Sequence, residues 1–179
     1  MRITRAEVEK KLNEINRPDL IESTALQAGS VLSVFTEELV PKVEGIIEIG
    51  TFYGIGTVAL AMVGKVVYTY DIAYRDAELI WNLFGVRNKI RCCVAPQWQI
   101  DADIKFIVRK WQSKLNFNFA FVDGNHTYES VKHDFGLVKF CGRVLFDNVN
   151  MPELRRFVID EIGGRFVDKG KILGYWEEK

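Results

Sequence analysis

The chain has 179 residues, and 24 lysines plus arginines balance 24 aspartates plus glutamates, giving a formal charge of zero. That balance lacks the basic surplus that charge-driven nucleic-acid binding needs. Apolar residues at 48% and charged residues at 27% make a globular composition, which excludes wholesale disorder and suits one domain with its own core.

The first residues are charged and carry no apolar signal core, so a cytoplasmic protein is expected. Thr4 and Glu7 form a capping box, and Val8, Leu12 and Ile15 follow at helical spacing. Pro18 breaks that helix. Two more helical stretches follow, over residues 20–27 and 30–40, the second stopped by Pro41.

The texture then changes. Residues 43–49 read as a buried strand running into a glycine cluster, and 55–62 as a helix. Strands are expected at 66–70, 89–94, 117–122 and 143–146, and helices at 74–84, 101–115, 128–138 and 152–162. Residues 166–167 and 172–176 flank Lys169-Gly170-Lys171 as a hairpin. Apolar strands alternating with helices mean a parallel sheet covered on both faces. The expected fold is therefore α/β and Rossmann-like. It is a doubly wound, mostly parallel seven-stranded sheet closed by an antiparallel hairpin, with residues 1–41 a helical segment and 42–179 the core of one domain.

The longest uncharged stretch, residues 49–64, is broken by glycines and is poor for a membrane span. Cys92 and Cys93 are adjacent on a strand and point to opposite faces, so with Cys141 they read as small buried hydrophobes, not a disulfide framework.

Right-handed crossovers bring every strand's carboxyl end to one edge, where ligands of open α/β sheets bind. Glu48-Ile49-Gly50-Thr51-Phe52-Tyr53-Gly54-Ile55-Gly56 closes the first strand, Asp71-Ile72 the second, and Ala95-Pro96-Gln97-Trp98 the third. Asp123-Gly124-Asn125-His126 follows the fourth and Asp147-Asn148 the fifth. Polar and glycine residues thus gather at the edge of an apolar sheet. Glycines at 50, 54 and 56 let a backbone turn sharply against a ligand, but their spacing is not the dinucleotide fingerprint. A carboxylate at Asp71 can accept both hydroxyls of a ribose. A nucleoside-bearing ligand without a pyrophosphate fits this pattern best, and the bland alternative is a tight strand-to-helix turn.

The run from Ile47 to Ala61 resembles the first motif of class I S-adenosylmethionine-dependent methyltransferases. It is most like the small cation-dependent O-methyltransferases of catechol and caffeoyl-CoA type. Phe119-Ala120-Phe121-Val122-Asp123-Gly124-Asn125-His126-Thr127-Tyr128 and Gly142-Arg143-Val144-Leu145-Phe146-Asp147-Asn148 resemble that family's fourth- and fifth-strand motifs. The DGxHxY form is also similar to a group that methylates sugar hydroxyls.

The resemblance implies a set of roles. Glu48, Gly50, Thr51, Phe52, Tyr53, Gly54, Gly56, Asp71, Ile72, Trp98 and Asp123 would bind S-adenosylmethionine. Asp123, Asp147 and Asn148 would ligate a divalent cation, Mg²⁺ by the hardness of those oxygens. His126 would be the general base. The partner would be a small hydroxylated, diol-like molecule; no nucleic acid or membrane is expected, and a homo-oligomer is left open. His133 reads as a solvated helix residue. Two departures matter: Val94-Ala95-Pro96-Gln97-Trp98 replaces the family's usual Gly-Asp-Ala run, and the chain is short. They keep open a second class, a non-catalytic cofactor-binding partner or regulatory module. A nicotinamide oxidoreductase is disfavoured by the glycine spacing, and a DNA amino-methyltransferase by the lack of an Asp/Asn-Pro-Pro-Tyr run.

Overall fold

The structure, a computed structural model, describes residues 3–23, 43–73, 75–111 and 116–179. The helix expected at 30–40, the end of the one at 20–27, Tyr74, and the last turn of the one at 101–115 lie outside the described residues.

Helix α1 (Arg5–Glu14) begins as its sequence dictates, with Thr4 Oγ1 accepting from the Glu7 amide at 3.2 Å. It buries Val8 and Leu12, and α2 (Asp19–Ser23) follows. The core then alternates strand and helix: β1 (Val43–Ile49), α3 (Ile55–Val63), β2 (Gly64–Asp71), α4 (Ala77–Leu83), β3 (Ile90–Val94), α5 (Gln97–Trp111), β4 (Phe117–Val122), α6 (Tyr128–Val138), β5 (Arg143–Phe146) and α7 (Pro152–Arg155). β6 (Arg165–Phe166) and β7 (Gly174–Glu177) close the chain. Among the described residues seven strands form one sheet, in the order β3-β2-β1-β4-β5-β7-β6. The first five are parallel, and β7 lies antiparallel between β5 and β6. This is the expected Rossmann-like sheet with its antiparallel end.

Alternation along each strand feeds two cores. Ile46, Val67, Ile90, Phe119, Phe121 and Leu145 face α1, α3 and α4. Ile47, Ile49, Tyr70, Ala120, Val122 and Phe146 face α5, α6 and the segment after β5. Both faces of the central strands are covered, so those strands are apolar throughout. Among the described residues no helix is long and apolar enough to cross a membrane.

Three details differ from the expected pattern. Residues 97–99, expected as loop, are the first turn of α5: Pro96 supplies its carbonyl to the amides of Gln99 and Ile100 at 2.9 and 3.2 Å. A proline suits that place because it has no amide to leave unpaired. The helix expected over 152–162 is α-helical only through Arg155 and π-helical over Arg156–Glu161, with the Ile162 amide reaching Phe157 O at 3.1 Å. The closing hairpin is wider than a Lys-Gly-Lys turn, because Asp168 Oδ1 accepts from the Leu173 amide at 2.6 Å and holds the loop open.

Candidate active site

The carboxyl ends of β1 and β4 approach each other closely. The Asp123 amide donates to Ile49 O and the Gly50 amide to Tyr70 O, each at 2.8 Å. Gly50 has φ +99, and a Cβ there would lie 2.0 Å from the Asp123 carbonyl oxygen. No residue with a side chain fits. Gly54, at φ +80, caps α3, and its missing Cβ leaves room for Trp81, whose Nε1 would otherwise be 2.4 Å away. These glycines make the turn and let the Asp123 carbonyl and Trp81 pack against it, below an open space.

That space is a cleft of about 570 Å³. Gly50, Phe52, Asp71, Ile72 and Asp123 line it. Asp71 Oδ2 accepts from the Phe52 amide at 2.8 Å and Oδ1 from the Ala73 amide at 2.9 Å, which fixes the carboxylate at the mouth of the β1–β2 crevice. Arg75 Nη1 stands 3.4 Å from both oxygens. Phe52 has φ +48, and its ring is 45% exposed beneath the Arg75 guanidinium.

Other expected cofactor residues are placed elsewhere. Glu48 is fully buried beneath the loop, with Thr57 Oγ1 donating to Oε2 at 2.5 Å and Oε1 left without a partner. Burial pushes its carboxyl up to about 8, so it is neutral at pH 7. Thr51 is buried against Thr69, their hydroxyls 2.6 Å apart. Tyr53 packs on the core, edge-on to Phe52, and Gly56 lies in the first turn of α3. Trp98 is 72% exposed and does not line the cleft; its neighbour Gln97 does.

Sequence reasoning missed the far wall. Glu129, Ser130, His133 and Asp134 of α6 face the cleft together with Asn125 and Ile100. His133 is exposed, as read, but it is partnered: Nε2 meets Asp101 Oδ2 at 3.0 Å and Nδ1 meets Asp134 Oδ1 at 3.2 Å. It therefore ties α6 to α5. The spacing 129, 130, 133, 134 on a helix after β4 carried that signal, but the residues also fit a solvated face.

Past the cleft, β4 and β5 present the remaining residues together. His126 Nε2 is 3.3 Å from Asp123 Oδ1 and 3.1 Å from the Asn148 amide nitrogen. One Nε2–H serves both neighbours if the Asn148 amide turns its oxygen inward. Asn148 has φ +56, and its backbone amide donates to Asp147 Oδ1 at 2.8 Å. Asp123 and Asp147 are both largely buried, and each acts on the other's charge. Burial lifts both carboxyls, and burial plus the Asp123 charge takes Asp147 up to about 7. The same Asp123 lifts His126.

Among the described residues no three His, Cys, Asp or Glu side chains form a group that could hold a metal ion. The set expected from the sequence has an amide, Asn148, as its third donor. Two largely buried carboxyls, both raised above their ordinary values, fit a cation, and the oxygen donors fit a hard one.

A methyltransferase-domain family model matches residues 47–145, more than half of the chain, and the chain belongs to that family. The match spans the residues that build the cleft, from the β1 loop to β5. Comparison with curated proteins finds no match. The fold is similar to the O-methyltransferase TomG of Streptomyces achromogenes, involved in tomaymycin synthesis and solved with SAM. That match has 18% identity and a TM-score of 0.66, and covers 98% of this chain and 89% of that one. It is also similar to an O-methyltransferase from Bacillus cereus in complex with SAH (17% identity, TM-score 0.64, covering 93% and 87%). A precorrin 8W decarboxylase of Methanobacterium thermoautotrophicum shares the fold too (16% identity, TM-score 0.57, covering 81% and 88%). At these identities the likeness is one of fold, and the reaction must be argued from the site.

Proposed function

We propose that the protein is an S-adenosylmethionine-dependent O-methyltransferase acting on a small hydroxylated, diol-like substrate with the help of a divalent cation. One observation carries this reading: in a methyltransferase chain, a single cleft runs from a fixed carboxylate at Asp71 to Asp123, beside a histidine and a carboxamide. Asp71 would accept the ribose hydroxyls, and the glycine-walled space at Gly50 would take the methionine part. Ile72, Gln97 and Ile100 would bracket the adenine.

The cofactor supplies a sulfonium methyl, an electrophile that needs an oxygen nucleophile in line. Asp123, Asp147 and Asn148 would hold the cation, which supplies Lewis acidity toward a substrate hydroxyl. His126 in its neutral form would take the hydroxyl proton, and Asp123 would stabilise the imidazolium that results. Most of the rate would come from positioning and electrostatics.

Calorimetry with S-adenosylmethionine, with and without Mg²⁺, followed by methyl transfer to a panel of diols, tests the reading. No cofactor binding under either condition overturns it. Binding without transfer to any diol favours the non-catalytic module instead.

A further inference from the structure

A second cavity, of about 290 Å³, adjoins the cleft on the sheet face covered by α3 and α4. Phe52 and Arg75 line both spaces and so form the partition between them. The floor includes Cys92 and Val94. Both are exposed because β3 is an edge strand, with no further strand beside it among the described residues. Trp81 of α4 forms a wall, and Arg87 stands at the rim with its guanidinium 5.8 Å from that ring.

One feature marks this as more than a packing gap, its spare donor capacity. Arg75 touches Asp71 only through Nη1, at 3.4 Å, and its Nε and Nη2 make no hydrogen bond among the described residues. Arg87 spends Nε on Glu78 and Nη1 on Ile90 O, and Nη2 stays unused among them. Two partly free guanidinium forks facing a slot walled by Trp81, Phe52 and Val94 suit a flat apolar body that ends in a carboxylate.

We infer that this cavity binds a small planar organic carboxylate, with the acid group on Arg75 and Arg87 and the ring against Trp81 and Phe52. The site also communicates with the cleft. An acid that draws Arg75 off Asp71 frees that carboxylate for other donors. This coupling rests on the reading of Asp71 as the ribose acceptor; the acid site does not.

The test is titration of the full chain with benzoate and with nicotinate, followed by calorimetry and by amide chemical shifts. Saturable one-to-one binding of both acids is expected. Arg87→Ala and Arg87→Lys each weaken binding about tenfold or more. Val94→Trp fills the slot and abolishes it. Saturating benzoate raises S-adenosylmethionine affinity about fivefold or more. Absence of saturable binding, or binding unchanged in folded Arg87→Ala, overturns the site. Direct competition with S-adenosylmethionine also overturns it, because the acid then occupies the first cleft. Unchanged cofactor affinity overturns the coupling. Loss of S-adenosylmethionine binding with the acid site intact sinks the functional reading alone.

Discussion

The missing side chain of Gly50 and the carbonyl of Asp123 occupy nearly the same point: a Cβ at residue 50 would lie 2.0 Å from that oxygen. The two residues come from different strands and are joined through the amide of Asp123 on Ile49 O. The loop that would cradle the cofactor and the carboxylate that would face its methyl group are therefore packed directly against each other. Gly50→Ala must break this approach, and at φ +99 it also strains its own backbone. The expected cost is about 3 kcal/mol or more, read by urea denaturation. Wild-type stability in Gly50→Ala would show that the two loops are not in contact.

Asp71 is expected to matter for ligand affinity more than for the fold. Its carboxylate receives the Phe52 and Ala73 amides but sits at the cleft mouth, where those amides can bond water once it is gone. Asp71→Ala should weaken S-adenosylmethionine binding about tenfold or more, since hydrogen bonds to a charged group are worth about 1.5–3 kcal/mol. The melting temperature of the free protein should move little. Calorimetry giving equal affinity would remove Asp71 from the cofactor site.

How much of this was legible depended on where each residue sits in its element. Asp71, Asp123 and Asp147 each close or follow an apolar strand, so strand reading alone brought them to one edge. The placement of Trp98 turns on a single position. Helix α5 begins at Gln97 rather than at 101, and one residue turns a helical side chain through roughly 100 degrees. Gln97 thus faces the cleft and Trp98 faces solvent. The α6 wall was hidden for another reason: Glu129, Ser130 and His133 have the polarity of a solvated face, and only packing against α5, through His133 and Asp101, shows which face it is. Arg75 lies on no periodic element, and its link to Asp71 is purely tertiary.

His126 should separate chemistry from binding. Its imidazole is lifted above the ordinary value because the hydrogen bond to Asp123, and then that carboxylate's charge, favour the protonated form. A base must be neutral to accept a proton, so methyl transfer should rise with pH through a point above about 6.5. His126→Ala should lower kcat by about 10² to 10⁴ with S-adenosylmethionine affinity unchanged. A variant that keeps the wild-type pH profile would hand the proton to another group.

Asp147 offers a test of the cation. Beside Asp123 it is held up to about 7, so near neutrality the pair keeps a proton that a divalent ion must displace. Mg²⁺ should therefore stabilise the protein against heat more at pH 8 than at pH 6, with proton release detectable in unbuffered solution. Asp147→Ala should abolish that stabilisation. An equal Mg²⁺ effect in wild type and variant would place the ion elsewhere.

Glu48 gives the clearest dependence of stability on pH. Its carboxyl is pushed up to about 8 by burial, against an ordinary value of 4.5. Between those values the folded chain holds a proton that the unfolded chain has lost. Its contribution is therefore fully present below about 4.5 and is lost as pH rises through about 8. Glu48→Gln keeps an acceptor for Thr57 and cannot ionise. The difference between wild type and variant isolates Glu48 from Asp147, whose contribution falls in the same direction and is common to both. Urea denaturation should find the variant closest to wild type at pH 5.5 and ahead of it at pH 8.5, with a flatter slope between. A wild type that gains on the variant over that interval would mean that Glu48 is ionised in the fold. Its unpartnered Oε1 would then need a hydrogen-bond donor, which a ligand over the Gly50 loop could supply.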